Sequence, residues 1–379
     1  MRLSWIRNIF LFSTVVVLLA SCKEQEFSKD EPLIPELRPA IYISGQNNFL
    51  YALDPKTGDR IWEKFFGVNT IVQEPLILKD FAFVATTLGI VQLDADKGTV
   101  IDTLELEFDG AKHPASGKIS GMDEIIYTGT SDNHIVAYNF VKKAIVWQTT
   151  LSGPAVMNSA GSFFNKLFIV NIENTVYALN KNQGSEVSWT YVAPGPINNP
   201  VIAAPNMYVL GTDGILHAVD LETGVEVWSY TTGASTNSAP IVYGGNIIYG
   251  ADNYKLYCID SIAHTPRWTF TTNERIKGSA FAADQAVYFG SYDHYVYSVD
   301  IIAGELNWRY RTGALVQSSP IVNNGIVYYG SFDQHLYAFD TSGAMKWKFK
   351  TNAPLDLSPV ANNLDNKVVY PAVSGLSPQ

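Results

Sequence analysis

From residue 40 onward the apolar positions of this chain fall in short runs that never settle into a helical rhythm. One stretch reads APIVYG (239–244), NIIYGA (246–251), KLYCID (255–260) and RWTFTT (267–272), separated by turn residues such as Gly244-Gly245 and Asp252-Asn253. Runs of Val, Ile, Tyr, Phe and Trp bounded by Gly, Asn and Asp are strands joined by turns. No 3.6-residue period is sustained, which disfavours a helical solenoid.

The four-strand pattern repeats. Each copy ends in a tryptophan: Trp62, Trp147, Trp189, Trp228, Trp268, Trp308 and Trp347. The wide gap between Trp62 and Trp147 holds a degenerate copy, LDADKGTVID, with Asp102 in the tryptophan position. The intervals are then 40, 45, 42, 39, 40, 40 and 39 residues. A period near 40 with four strands per copy predicts an all-β, eight-bladed β-propeller of four-stranded antiparallel blades over residues 40–379. The first copy starts at AIYISG, which matches the second strand of a blade. LSPVANN (357–363) matches the first-strand segment SSPIVNN (318–324), so the C-terminus is expected to complete the N-terminal blade and close the ring. KVVYPAV (367–373) then has no obvious place.

Two copies share a longer motif, YALDPKTGDRIW (51–62) and HAVDLETGVEVW (217–228). Asp54 and Asp220 can accept hydrogen bonds from the turn amides ahead of them, and Gly58 and Gly224 allow a positive φ. Ala52 and Ala218 leave room for a large neighbour, and the tryptophan brings a large apolar surface with one N–H to satisfy. Ala-x-Asp-x-x-Thr-Gly-x-x-x-Trp resembles the tryptophan-docking motif of the PQQ-dehydrogenase-like eight-bladed propellers. The resemblance covers about residues 40–363, with drifted copies at 137–147, 178–189, 298–308 and 338–347. It implies that each tryptophan packs between adjacent blades. It also marks the second blade, with Asp102, as the weakest.

The N-terminus is set apart from the repeat. Arg2 and Arg7 precede an apolar run from Ile9 to Ala20, too short for an ordinary membrane-spanning helix. The run ends in Leu19-Ala20-Ser21-Cys22, which resembles a bacterial lipobox. We therefore expect a lipoprotein signal peptide over 1–21, acylation of Cys22, and a Pro-punctuated tether over 22–39. The KEQE run after Cys22 is either a solvated tether or a surface-sorting signal. An acylated Cys22 leaves Cys258 alone, so no internal disulfide is available. Cys258 occupies the position of Ala in sister copies and is expected to be a small buried apolar residue. The net charge of −10 without a Lys/Arg cluster argues against a nucleic-acid partner.

The resemblance brings quinoprotein enzymes into view. Those enzymes carry an adjacent cysteine pair and calcium ligands around the quinone, and this sequence has no Cys-Cys pair. No cofactor, no metal and no catalytic residue is therefore expected. The histidines show no zinc-ligand spacing, and His134, His294 and His335 read as solvated turn residues. Asp94-x-Asp96 reads as turn bonding. Variation is concentrated in the connections from each outer strand to the next inner strand. Gln73, His113, Asn158, Asn199, Asn237, Lys277, Gln317 and Asp356 are the candidate contacts there. The resemblance extends to the lipoproteins of outer-membrane β-barrel assembly. It implies a non-enzymatic scaffold that is anchored by lipid to the outer membrane of a Gram-negative bacterium and holds protein partners. A surface lipoprotein binding glycan or aiding polysaccharide uptake is the alternative, and a quinoprotein dehydrogenase is the third reading.

Overall fold

The computed structural model describes residues 37–67, 74–86, 89–151, 157–184, 187–362 and 368–369. The proposed signal peptide, Cys22 and Gln73 lie outside these residues. Every described element is a β-strand, and the strands form eight blades around one axis. Blade 5 is typical. It runs Val201–Ala203, Asn206–Leu210, Ile215–Asp220 and Glu226–Thr231 from the axis outward, each strand antiparallel to the last. The middle strands are buried on both sides, because neighbouring blades cover both faces. The outer strand alternates exposed and half-buried positions.

The ring closes as the repeat register predicts. Val360–Asn362 pairs antiparallel with Ala40–Ser44, placing Ala40 opposite Asn362 and Tyr42 opposite Val360. The Asn362 side chain reinforces the joint: its Oδ1 accepts from the Ala40 N–H at 2.6 Å and its Nδ2 donates to the Arg38 carbonyl at 3.1 Å. Leu37 is already buried, so the last residues of the expected tether pack on the propeller. The unplaced run resolves in part: Val368–Val369 pairs with Ala361 and Asn362 on the axial side, making the first blade five-stranded.

Blades 3 and 4 depart from the pattern. Their inner strands, Ala115–Met122 and Met157–Phe163, are longer than the three-residue inner strands elsewhere and join in parallel at Gly117 and Met157. Two stretches expected as loops are therefore partly strand, including the position of Asn158. A small hairpin, Glu107–Phe108 with Ala111–Lys112, is inserted ahead of blade 3.

The docking motif explains how blades are joined. In every tryptophan-bearing blade the small residue of the third strand pairs with the tryptophan of the fourth, as Ala52 with Trp62 and Cys258 with Trp268, and a register shift follows at once. The bulge turns the indole toward the next blade. There, for six of the seven, its N–H meets the carbonyl that follows the motif Asp or Asn. Trp62 donates to Ala95 at 2.8 Å, Trp147 to Lys181 at 2.9 Å, Trp189 to Leu221 at 3.2 Å, Trp268 to Ile301 at 2.9 Å and Trp308 to Thr341 at 2.9 Å. Trp347 donates to Pro55 at 3.1 Å and so closes the circle. The Asp supplies the turn: Asp54 Oδ1 accepts from the N–H groups of Lys56 and Thr57, and Asp220 Oδ1 from those of Glu222 and Thr223. Gly58 meets two demands. Its φ is +76°, and a Cβ there would lie 2.6 Å from the Trp347 ring. Gly224 has φ +72° and the same relation to Trp189.

The second blade breaks this system on both sides of the seam. Asp102 stands where the tryptophan belongs, and Lys143 stands where the next blade would carry its glycine. Their side chains meet at 2.6 Å. An exposed ion pair replaces a packed indole, and beside it runs an open groove of about 650 Å³ bordered by Lys143, Tyr138 and Glu105. Blade 6 varies differently: His264 holds the left-handed position at φ 59° and stacks on Trp228 at 4.3 Å. Cys258 is fully buried, and burial pushes its thiol up to about 12, consistent with an inert packing residue.

Candidate functional site

The connections from outer to inner strands meet on one face, and hydrogen bonds between equivalent positions tie them together. The Ala239 N–H donates to Ser279 Oγ at 2.9 Å, the Ser279 N–H to Ser319 Oγ at 2.9 Å and the Ser319 N–H to Ser358 Oγ at 3.0 Å. At the next step the chain has passed from its C-terminal to its N-terminal part, and the hydroxyl gives way to a carboxylate. The Ser358 N–H donates to Glu74 Oε1 at 3.1 Å, while Glu74 Oε2 lies 3.6 Å from Lys118 Nζ.

This chain of bonds borders a polar cavity of about 550 Å³. Five of the eight candidate contacts line it together: Asn199, Asn237, Lys277, Gln317 and Asp356. Glu74, Lys118 and Tyr292 complete its chemistry. Lys277 pairs with Asp252 at 2.9 Å. Asp356 accepts from Gln46 Nε2 at 2.9 Å, and the Tyr292 hydroxyl donates to Gln317 Oε1 at 2.5 Å. Burial, and then the nearby Asp252 charge, raise the Tyr292 phenol above its usual range, so it remains a neutral donor at physiological pH. The lysines Lys118 and Lys277 stand beside the carboxylates Glu74 and Asp356, with Asp252 behind Lys277 and amides and hydroxyls between them. That mixture of donors and acceptors suits the alternating N–H and C=O groups of a polypeptide better than an anion.

The other three candidates part company with these five. Gln73 lies outside the described residues. Asn158 falls in the inner strand of blade 4. His113 is buried beneath the inserted hairpin, its ring stacked on Phe108 at 3.5 Å, and is no surface contact. The turn histidines also differ from the solvated expectation. His134 and His335 retain only 19% and 22% of their side-chain exposure, because the neighbouring connection folds over them. His113 and His134 meet at Asp132, a grouping that the sequence conceals. Asp94 does bond its turn, its Oδ1 accepting from the N–H groups of Asp96 and Lys97, whereas Asp96 Oδ1 accepts from the distant Arg38 N–H.

A sequence-family profile described as outer membrane protein assembly factor BamB matches residues 46–265 and again 263–375. The chain belongs to this BamB-like family of PQQ-like propellers. Among solved structures, BamB from Moraxella catarrhalis superposes with a TM-score of 0.64 at 17% identity, covering 80% of this chain and 97% of that one. The computationally designed Ika8 protein superposes with a TM-score of 0.66 at 13% identity, covering 81% and 98%. At such identities these two similarities speak to the fold alone. No curated protein matches the sequence.

Proposed function

We propose that this protein is a non-enzymatic scaffold, anchored to the outer membrane through an acylated Cys22, which receives a polypeptide segment of a partner at the mouth of the propeller. One observation carries the reading. The residues that do not repeat from blade to blade converge, five of them, on a single cavity of mixed donors and acceptors edged by a repeating hydrogen-bond line. Family membership supplies the partner class, proteins of outer-membrane barrel assembly. The lipobox-like Leu19-Ala20-Ser21-Cys22 supplies the anchor.

Affinity capture from crosslinked membranes tests both parts. The natural chain is expected to fractionate with the outer membrane and to bring down barrel-assembly proteins. Cys22→Ser is expected to release it into the soluble fraction and to reduce that yield. Capture that recovers no assembly protein from correctly localised chain would remove the scaffold reading. Protease treatment of intact cells then reports which side of the membrane the propeller faces. Cleavage together with retention of polysaccharide would instead favour the surface-glycan role.

A further inference from the structure

Blade 3 carries a group of side chains that neither the docking motif nor the mouth uses. His113 lies just after the inserted hairpin, and Asp132 and His134 lie in the turn between Ile125–Thr130 and His134–Asn139. One ligand atom from each of the three lies within 4.8 Å of the other two. His113 Nδ1 stands 2.5 Å from Asp132 Oδ2, and its other nitrogen, Nε2, stands 3.1 Å from the Phe108 carbonyl. A carbonyl can only accept, so Nε2 carries the proton and donates to it. In the neutral ring that leaves a lone pair on Nδ1, aimed at a carboxylate oxygen. His134 Nδ1 is sealed from solvent and makes no hydrogen bond, with Asp132 Oδ1 3.4 Å away. The His113 lone pair and the Asp132 carboxylate thus face each other, a proton or a metal ion must stand between them, and His134 Nδ1 is close enough to join as a third ligand.

The equivalent turns of other blades show that this is no general property of the repeat. In blade 8 the corresponding aspartate, Asp333, accepts from the Gly313 N–H at 2.6 Å and from the Tyr337 hydroxyl at 2.7 Å. In blade 7, Asp293 accepts from the Asn273 N–H at 3.0 Å and the Tyr297 hydroxyl at 2.7 Å. Those carboxylates are satisfied by neutral donors. In blade 3 the tyrosine position is Val136, which has no donor; the Thr130 hydroxyl serves Asp132 there, and His113 comes in from the connection. His335 occupies the same position as His134, but its Nδ1 lies 2.9 Å from the Asp333 carbonyl. The histidine at this position is therefore partnered in blade 8 and unpartnered in blade 3.

We propose that His113, Asp132 and His134 form a binding site for a divalent transition-metal ion of the zinc class. Two imidazoles and one carboxylate are ligands that such ions take at about 2.0–2.2 Å, and three protein ligands leave a position for water. The Phe108 carbonyl is the outer partner that sets the His113 tautomer, as second-layer acceptors do in histidine metal sites. Asp132 is half exposed, which gives the ion an entry path. The ion would pin the inserted hairpin onto blade 3, next to the only seam where a tryptophan has been replaced by Asp102. The site is independent of the mouth and of any partner bound there.

The test uses the purified full chain after chelator treatment, titrated with Zn²⁺ and, for its visible spectrum, Co²⁺. We expect one ion per chain, a Co²⁺ absorption band typical of low coordination number, and a Zn²⁺-dependent rise in melting temperature. His134→Ala, in a half-exposed turn, should weaken binding by roughly 100-fold or more and abolish the melting shift, and Asp132→Asn should weaken it similarly. His335→Ala, the same position in blade 8, should bind as the natural chain does. Failure to take up either ion would overturn the proposal and leave His113 and Asp132 as a hydrogen-bonded pair alone. Uptake that survives both His134→Ala and Asp132→Asn would overturn it too, by placing the ion elsewhere.

Discussion

Replacing Trp62 by alanine probes the joint on which the ring depends. Trp62 is 8% exposed, packs beside Tyr42 at 5.9 Å and donates to the Ala95 carbonyl at 2.8 Å. Its ring also covers Gly98 of the second blade, where a Cβ would lie 2.5 Å from Cδ2. Truncating a buried tryptophan costs about 3–5 kcal/mol. Unfolding entropy is about 2.1 cal/mol/K per residue, or about 0.7 kcal/mol/K over a propeller of this length. The melting temperature should therefore fall by about 4–7 °C. Gly98→Ala attacks the same contact from the other side and adds strain at φ +68°. In the natural background it meets both the clash and the strain. In the Trp62→Ala background only the strain remains, worth about 1–2 kcal/mol. The double-mutant cycle read by calorimetry should thus be sub-additive by about 1 kcal/mol or more. An unchanged melting curve for Trp62→Ala, or a strictly additive cycle, would refute the packing role.

The Asp102–Lys143 seam should behave in the opposite way. Asp102→Ala and Lys143→Ala should scarcely move the melting temperature, since exposed ion pairs contribute little and are screened by salt. Hydrogen exchange should be faster in Val100–Leu104 than in the outer strands of tryptophan-bearing blades, and equal rates would contradict a weak seam. Acid should loosen the docking turns of Asp220, Asp260 and Asp340 together. The Asp220 carboxyl is held low first by the Thr223 hydroxyl, Asp260 first by the Ala263 N–H, and Asp340 first by Lys346. A depressed native value stabilises the fold above the unfolded value of about 3.9, and that stabilisation is lost as the pH falls through the native value. Melting temperatures should accordingly hold steady down to about pH 5 and decline below about pH 4, whereas a decline beginning near pH 6 would point to histidines instead.

The fold was legible because its information is repeated. Seven tryptophans, with Asp102 in the eighth position, recur at a near-constant interval and give the blade number, and the likeness of 357–363 to 318–324 gives the closure at Ala40 and Asn362. Val368–Val369 was not legible, since a fifth strand has no counterpart in other blades. Five of the residues that vary on the constant scaffold share a cavity. His113 failed as a contact because the hairpin at 107–112, which no other copy contains, folds it inward. The His113–Asp132–His134 group escaped notice because a spacing of 19 and 21 residues matches no local ligand pattern. The available signal was a substitution within the repeat, Val136 where sister copies carry Tyr297 and Tyr337. Read in the same way, Lys143 in a glycine position would have announced the partner of Asp102.

The mouth is the surface proposed to receive a partner. A photo-crosslinking residue placed in living cells at Asn199, Asn237 or Gln317, and as a control at exposed Ile262 or Ile302 in the docking turns, tests that directly. Adducts with outer-membrane assembly proteins should form from the mouth positions and be absent from the docking-turn positions. Adducts arising only from the docking turns, with none from the mouth, would contradict the account.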